Sequence, residues 1–451
     1  MNREPVSYRD PAGQVMETDG VILRTVDVRW ARHYDHFIQT GLYGKLVEQG
    51  LLVLHKETGG EQGTIYRTLQ PQRIPFINYP WEWSFSQLKD AALLVLDIEE
   101  AALKKGMTLK DAHATNVQFY DGAPIWIDTL SFEKYRKGEG WKAYRQFCMN
   151  FLAPLALMHY VDPRGRDWIL ANPDGMDLGR TSVLLPFLSR FKTGMSLHIH
   201  LQAKLARWAG QRRQPPEEKK LTVGGLRMIL RSLRETIQGL QLKTTSNGWN
   251  QYYLHTENEY IDHKTAIVKS MLQETQSGFV WDIGANEGVF SRMAAQNRRL
   301  VVSVDADGAV VDKNYLYNRE EHEKRVLPLI ADIANPTPSM GLENKEWMSL
   351  LSRGERGLLL GLAITHHLAL GRNIPLPMIA RIFASLGKEA IIEFVPADDP
   401  RSLLLVSGKR DIVSVYSRER FLQAFSGCFR ILKSEIVIGT NREIFLMTAI
   451  T

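Results

Sequence analysis

The sequence predicts two differently folded regions: a C-terminal α/β region built on a Rossmann-like, doubly wound sheet, and an N-terminal α+β region. Short apolar runs alternate with longer segments between residues 279 and 395, the rhythm of parallel strands covered by helices. A glycine-containing turn at 282–288 follows the first run. The segment 211–220 is charged and contains two prolines, which predicts a linker because proline blocks helix continuation.

We therefore divide the chain into an N-terminal domain (1–210), a linker with an amphipathic helix (211–248) and a C-terminal domain (249–451). A length of 451 residues fits two or three domains. The linker helix is predicted from apolar residues at helical spacing, which are Leu226, Ile229, Leu230, Leu233, Ile237 and Leu240. We expect this helix to pack on its own domain rather than to lie on a membrane surface.

The composition is that of a soluble globular protein, with 44% hydrophobic and 24% charged residues. The net charge of +6 favours anionic partners weakly, and no zinc finger, RNP-type motif or long basic run indicates a dedicated nucleic-acid module. Cys148 and Cys428 form neither a disulfide framework nor a zinc spacing, so we expect a cytoplasmic protein. The longest apolar run, 151–158, is too short for a membrane span.

Five apolar runs are predicted as parallel strands of the C-terminal sheet. They lie at 279–281, 300–304, 327–330, 358–363 and 390–395. A helix-like stretch, 289–295, separates the first two runs. This strand–turn–helix–strand order predicts the crossover unit of a doubly wound sheet.

The turn Asp282-Ile-Gly-Ala-Asn-Glu-Gly288 has the features of a nucleoside-binding site. Its glycines let the backbone turn sharply and let a ligand approach closely. The second strand ends in Asp305, which can accept hydrogen bonds from both ribose hydroxyls of a nucleoside. An NAD site would instead require G-x-G-x-x-G, whereas Asn286 replaces the middle glycine and Glu287 adds a charge that opposes a pyrophosphate.

These features resemble class I S-adenosylmethionine-dependent methyltransferases, whose first motif is acid-x-Gly-x-Gly-x-Gly, with asparagine a familiar variant at the middle glycine. The resemblance covers residues 249–451 and implies S-adenosyl-L-methionine as the cofactor. Acidic groups near the turn suit the ammonium and sulfonium of that cofactor. The cofactor-binding residues that the resemblance implies are Asp282, Gly284, Asn286, Gly288, Asp305 and, against the adenine amino group, Asp332.

His366 and His367 follow the fourth predicted strand, where this family places residues that face the methyl acceptor. One imidazole could take a proton from an acceptor hydroxyl, which makes the two histidines candidate catalytic residues. The alternative is that both are satisfied by local hydrogen bonds. The sequence leaves these two interpretations open.

The N-terminal region contains Asp111, Asn116 and, after a predicted hairpin, Asp128. Their spacing resembles the catalytic region of aminoglycoside-phosphotransferase-like kinases. That resemblance implies a kinase-like fold for the N-terminal domain. If the domain is an active kinase, the resemblance further implies that Asp111 orients the attacking hydroxyl and that Asn116 and Asp128 hold magnesium, with ATP as the second cofactor. No glycine-rich phosphate loop precedes these residues. The loop is therefore either a magnesium site or a structural loop compensated by a cation, for which Lys110 and Lys134 are the nearest candidates in sequence.

The whole arrangement resembles a bacterial family related to the nodulation protein NoeA. The predicted function is methyl transfer to an unidentified small molecule or glycan. Two alternatives stay open: a phosphotransferase or bifunctional kinase–methyltransferase acting on a sugar or glycan intermediate, and a nonenzymatic scaffold.

Overall fold

The computed structural model describes residues 2–3, 9–210, 220–242, 258–296, 298–405 and 416–450. The chain forms two compact units, residues 1–244 with 339–348, and residues 245–338 with 349–451. Two parts of the predicted linker, 211–219 and 243–248, lie outside the described residues. Among the described residues, no helix combines the length and the apolar character needed to cross a membrane.

The first unit begins with an antiparallel sheet and continues with helices and two short two-stranded sheets, one of which is a hairpin. Its strands are β1 (Asn2–Arg3), β2 (Val15–Thr18), β3 (Val21–Asp27), β4 (His55–Gly59), β5 (Ile65–Pro71), β6 (Met107–Leu109), β7 (Val117–Tyr120), β8 (Ala123–Trp126) and β9 (Phe132–Lys134). The five-stranded sheet has the order β1-β2-β3-β5-β4, and β6 pairs with β9 and β7 with β8.

The helices of this unit include one of 20 residues and the predicted linker helix. They are α1 (Ala31–Gln39), α2 (Leu42–Glu48), α3 (Phe85–Lys104), α4 (Tyr144–Phe147), α5 (Ala153–Tyr160), α6 (Arg166–Ala171), α7 (Leu178–Leu184), α8 (Thr193–Met195), α9 (Leu201–Gly210) and α10 (Val223–Gly239). Two π-helical turns, Cys148–Leu152 and Ser196–His200, interrupt this series.

Helix α3 is the centre of the first unit. Ser84 caps it by accepting from the Gln87 N–H, while the Gln87 side chain accepts from the Ser84 N–H. Helix α10 packs on α3 with its apolar stripe buried, and Arg234 of α10 forms an ion pair with Asp97 at 2.6 Å. The linker helix is thus packed on the first unit, as its amphipathic pattern predicts.

The second unit contains a seven-stranded sheet flanked by helices. Its strands are β10 (Phe279–Ile283), β11 (Leu300–Asp305), β12 (Val326–Ile330), β13 (Gly357–Gly361), β14 (Gly387–Phe394), β15 (Phe429–Ile436) and β16 (Glu443–Ala449). Its helices are α11 (Asn258–Gln273), α12 (Val289–Ala295), α13 (Gly308–Glu320), α14 (Leu376–Leu386), α15 (Pro400–Leu405) and α16 (Arg418–Ser426).

The sheet has the order β12-β11-β10-β13-β14-β16-β15. Strands β10 to β14 are parallel, whereas β16 runs antiparallel to both β14 and β15. All residues of β10, β12 and β13 are buried, which explains their continuous apolar runs. The predicted Rossmann-like sheet is confirmed. The order in which successive strands are added to the sheet reverses between β10 and β13, where doubly wound sheets form a ligand crevice.

Candidate functional site

The turn after β10 is built by left-handed backbone conformations. Gly284 and Gly288 both have φ of +74°, and Asn286 has φ of +49°. Asparagine tolerates this region better than most residues, which explains why it can stand at the middle position of the motif. The Gly284 and Ala285 N–H groups donate to the Val304 carbonyl at 2.8 and 3.1 Å. The turn is thereby fastened to the end of β11.

Asp305 ends β11 and is oriented by two backbone donors. Its Oδ2 accepts from the Asn286 N–H at 2.9 Å, and its Oδ1 accepts from the Asp307 N–H at 2.9 Å. Each carboxylate oxygen has a second lone pair for a ligand hydroxyl. Burial raises the pKa of Asp305, and the two N–H donors oppose that rise.

Asp282 lies in β10 and is buried. Its Oδ2 accepts from the Ser291 hydroxyl of α12 at 2.6 Å. Burial raises the pKa of Asp282 to about 7, although the Ser291 hydrogen bond lowers it. A carboxyl with this pKa readily changes its protonation state when a charged ligand binds.

Asp332 follows β12. Its Oδ1 accepts from the Ala334 N–H at 2.9 Å, and its Oδ2 lies 3.0 Å from Nη2 of Arg372. The Arg372 side chain is largely exposed, so this ion pair is screened by solvent. Asp332 is therefore oriented by the backbone and offers a hydrogen-bond acceptor, while its ion-pair partner Arg372 is largely exposed to solvent.

A cavity of about 560 Å³ lies at the carboxyl ends of these strands, a size typical of small-molecule sites. Five of the predicted cofactor residues line it: Asp282, Gly284, Asn286, Asp305 and Asp332. Gly288 is not among the lining residues. It precedes α12, where an added Cβ would lie 2.3 Å from Oδ1 of Asn314, so its role in the described structure is close packing.

Glu287 also differs from the expectation. It forms an ion pair with Lys313 at 2.9 Å and is not among the cavity-lining residues. The negative charge of the cavity instead comes from the aspartates at the strand ends. Asp282 and Asp305, rather than Glu287, are therefore the groups that would repel a pyrophosphate.

The two histidines after β13 occupy different positions. His367 is half-buried and lines the cavity, whereas His366 is buried and is not among the lining residues. Their ring centroids are 4.2 Å apart. Of the two candidate catalytic residues, only His367 is in a position to reach a molecule in the cavity.

Lys264 of α11 is a cavity residue that the sequence analysis did not identify. Its Nζ lies 2.6 Å from Oε2 of Glu393, at the end of β14, and both side chains are buried. Tyr260, one helical turn earlier, donates to the other Glu393 oxygen at 3.4 Å. The partner of both residues, Glu393, lies 129 positions after Lys264 in the sequence. The helical spacing of Tyr260 and Lys264 is therefore the only local feature that could have pointed to this contact.

In the first unit, Asp111 and Asn116 come together. Asp111 Oδ2 accepts from Nδ2 of Asn116 at 3.2 Å, and Asp111 Oδ1 accepts from the His113 N–H at 3.0 Å. The Asp128 carboxylate accepts from the Leu130 N–H and from the Ser131 hydroxyl. These contacts are turn-capping interactions of the kind that aspartate commonly makes.

The cation that compensates Asp128 is Arg24 of β3, not Lys110 or Lys134. Nη2 of Arg24 lies 2.6 Å from Asp128 Oδ1 and 2.8 Å from Asp10 Oδ2. Lys110 pairs with the other oxygen of Asp10 at 3.1 Å. Within the described parts of the chain, no group of three or more His, Cys, Asp or Glu side chains is arranged to hold a metal ion. The contacts therefore do not support the expected magnesium and ATP.

No protein-family model matches the chain. The nodulation protein NoeA of Rhizobium meliloti (strain 1021) is 32% identical over 454 residues, which cover 97% of this chain and 94% of that protein. The chain belongs to the NoeA family. The alignment spans nearly the whole of both chains, so the similarity to NoeA is not confined to one of the two units.

Three solved structures are similar to part of this NoeA family member. The N-methyltransferase NodS from Bradyrhizobium japonicum WM9 covers 43% of this chain and 97% of its own at 8% identity, with a TM-score of 0.31. Magnesium protoporphyrin IX methyltransferase from Synechocystis PCC 6803, with bound SAH, covers 45% of this chain and 94% of its own at 16% identity, with a TM-score of 0.32. The bifunctional kinase-methyltransferase WbdD covers 45% of this chain and 41% of its own at 13% identity, with a TM-score of 0.30. Because these scores are low, the fold assignment depends on the strand order.

Proposed function

We propose that this protein is an S-adenosylmethionine-dependent methyltransferase whose cofactor binds in the cavity beside the 282–288 turn. One observation carries this proposal. Aspartates from three strands that neighbour one another in the sheet, Asp282, Asp305 and Asp332, line a single cavity at the topological switch point. The acceptor is proposed to be a small molecule or a glycan.

The residues present fit the parts of this cofactor. Asp305, whose carboxylate is held at the end of β11, is proposed to accept hydrogen bonds from the ribose hydroxyls, and Asp332 offers an acceptor for the adenine amino group. Asp282 supplies the negative charge that favours the cationic methionine portion. Lys264, the buried cation of the cavity, is proposed to bind the methionine carboxylate.

A dinucleotide fits these groups poorly. Its pyrophosphate would face the buried carboxyl of Asp282 and the half-buried carboxyl of Asp305, without the glycine-rich backbone cradle that normally binds phosphates. An uncompensated anion beside buried carboxylates raises the free energy of binding. The charge of the cavity thus favours a ligand with a positive centre.

The bound cofactor would supply an activated methyl group for in-line transfer to a nucleophile. The protein would hold donor and acceptor at the required distance, which lowers the entropic barrier to reaction. His367, which begins the helical turn after β13 and lines the cavity, is proposed to accept the proton that a hydroxyl or amine acceptor loses. His366, buried behind it, would act at most by positioning that ring.

We further infer that the first unit has no phosphotransferase activity. An antiparallel sheet followed by a helical part with a short hairpin is consistent with kinase-like ancestry. However, Arg24 already neutralises Asp128, so a magnesium ion would have to displace a bound guanidinium. The first unit is proposed to act as a scaffold for the methyltransferase unit.

Calorimetry with S-adenosylhomocysteine, NAD and ATP with magnesium tests the proposal. We expect only the first ligand to bind, and Asp305→Ala to weaken that binding by about 1–3 kcal/mol, the scale of lost charge-assisted hydrogen bonds. Asp262→Ala, which removes an exposed carboxylate of α11, is the matched control and should leave the affinity unchanged. Equal affinities for the wild type and Asp305→Ala would contradict the assignment.

A further inference from the structure

Residues 183–208 of the first unit expose many large apolar side chains. We name this segment the apolar tip. The most exposed are Val183 (78%), Leu188 (73%), Phe191 (72%) and Phe187 (66%). The remaining exposed members are Leu184, Leu197, Leu201, Leu205 and Trp208. Over the described part of the chain, every exposed phenylalanine and tryptophan lies in this segment. Scattered exposed apolar residues are ordinary, but a cluster marks a binding surface.

Helix α9 has its apolar stripe on the outside. Leu201, Leu205 and Trp208 recur at helical spacing and are exposed, whereas Ala203 is buried. Leu197, one turn before Leu201, extends the exposed stripe. A helix that merely packs on its own unit would bury this stripe.

The same segment is uniformly basic. From residue 178 to residue 210 the sequence contains no aspartate or glutamate. All lysines and arginines between residues 178 and 210 are exposed, and they are Arg180, Arg190, Lys192, Lys204 and Arg207. The Arg190 guanidinium lies 5.4 Å from the centroid of the Phe187 ring, so charge and apolar surface adjoin. Such a surface is complementary to one that is both anionic and apolar.

The apolar tip is held in place by internal contacts. His200 joins the two halves of the segment, since its Nδ1 lies 2.7 Å from Oγ of Ser182 and its Nε2 lies 2.8 Å from Oγ of Ser189. The Phe187 and Phe191 rings pack edge to face with centroids 5.6 Å apart. The exposed side chains are therefore displayed from a fixed scaffold.

We propose that the apolar tip docks this protein onto an anionic lipid bilayer surface. Aromatic and leucine side chains would enter the boundary between head groups and acyl chains, and the flanking lysines and arginines would contact anionic head groups. Helix α9 has 10 residues, half the length needed to span a bilayer, so it would lie in the surface. A protein partner would account for the apolar side chains, but not for the absence of acidic residues through the whole segment.

Vesicle flotation of the full chain tests the docking. At about 0.1 M NaCl, most of the protein should float with vesicles of phosphatidylcholine that contain about 30 mol % phosphatidylglycerol. A much smaller fraction should float with neutral phosphatidylcholine vesicles. Raising NaCl to about 0.5 M should weaken the binding, because salt screens the basic side chains. Failure of the wild type to float with anionic vesicles at low salt would overturn the proposal.

Two variants identify the surface. Phe187→Ser with Leu188→Ser and Phe191→Ser should lower the partition onto anionic vesicles at least about tenfold. The matched control, Met228→Ser with Ile436→Ser and Ile438→Ser, removes three exposed apolar side chains elsewhere and should bind like the wild type. Unchanged binding of the first variant would refute the assignment. So would sedimentation showing a wild-type dimer that this variant abolishes, because the surface would then join two copies.

A charge variant gives a second readout that does not depend on the apolar substitutions. Arg190→Glu with Lys192→Glu should lower binding to anionic vesicles and leave the residual binding to neutral vesicles unchanged. Both residues are exposed, so the melting temperature should stay at the wild-type value. Equal losses on both kinds of vesicle would contradict the electrostatic part of the proposal.

Discussion

Arg24 in β3 and Asp128 after β8 are separated by 104 positions in the sequence, yet their side chains are 2.6 Å apart. The same guanidinium contacts Asp10, so one protein cation bridges two carboxylates. Both members of the Arg24–Asp128 pair are mostly buried, where a charge pair is screened little by solvent. The positive charge that a metal ion would bring to Asp128 is therefore already provided by the fold.

Millimolar ATP with magnesium should consequently leave the melting temperature of the wild type unchanged. Arg24→Ala should destabilise the first unit by about 1–3 kcal/mol, because Asp10 and Asp128 lose their shared partner. Arg29→Ala, which removes an exposed ion pair with Asp27, is the control and should lower the stability much less, because solvent screens that pair. A melting shift with ATP and magnesium that Asp128→Asn removes would restore the kinase hypothesis.

Gly284→Ala should weaken S-adenosylhomocysteine binding at least about tenfold, or about 1.4 kcal/mol. An added Cβ would lie 3.0 Å from Cδ1 of Ile364, and φ at this position is +74°, so the turn must shift. Gly278→Ala is the matched control, because no atom lies within 4 Å of its added Cβ. Calorimetry should separate the two variants, and equal effects would show that the turn does not contact the cofactor.

The affinity for S-adenosylmethionine should rise with pH through the region of the Asp282 pKa, about 7. A cationic ligand favours the ionised carboxyl, so binding should release a proton, and the affinity should gain at most about tenfold per pH unit. Calorimetry in two buffers of different ionisation enthalpy measures this proton. Asp282→Asn should abolish the release and flatten the profile. A wild-type affinity that is independent of pH from 6 to 8 would contradict the role of Asp282.

Glu99 of α3 offers a stability test in the first unit. Its oxygens accept from the Thr108 hydroxyl and the Leu109 N–H at 2.7 Å, and burial raises its pKa from the ordinary 4.5 to about 8. The folded state thus holds a proton that the unfolded state has lost, so stability should fall as pH rises from about 4.5 to 8.

Glu99→Gln keeps an uncharged acceptor and should be more stable than the wild type at pH 8, whereas Glu99→Ala should be less stable at every pH by roughly 1–3 kcal/mol. Denaturant unfolding at pH 6 and pH 8 measures both effects. If Glu99→Gln shows the same pH dependence as the wild type, another group is responsible for it.

The apolar runs at 279–281 and 327–330 predicted strands correctly, because burial on both faces imposes a local and continuous pattern. The antiparallel strands β15 and β16 were not predicted. β15 is a sheet edge with mostly exposed residues, and its pattern resembles a loop. The sequence also gave no sign that residues 339–348 belong to the first compact unit.

The candidate site shows the same division between local and distant information. Asp282, Gly284 and Asn286 could be predicted because one short turn determines their backbone conformation. Lys264 and Arg372 could not be predicted, because an ion pair with a residue distant in sequence positions each side chain. Lys264 pairs with Glu393, and Arg372 pairs with Asp332. Their contribution depends on tertiary packing that no local pattern encodes.

The hydrogen bonds that fasten the Gly284–Asn286 segment to the end of β11 have a consequence for the kinetics of ligand capture. Three successive amides of this segment already have acceptors on Val304 and Asp305 in the free protein. A ligand therefore meets a loop whose conformational entropy was lost during folding, and little further ordering opposes association. The association rate should be governed by diffusion and charge. Differences in affinity between related ligands should therefore arise mainly from their dissociation rates.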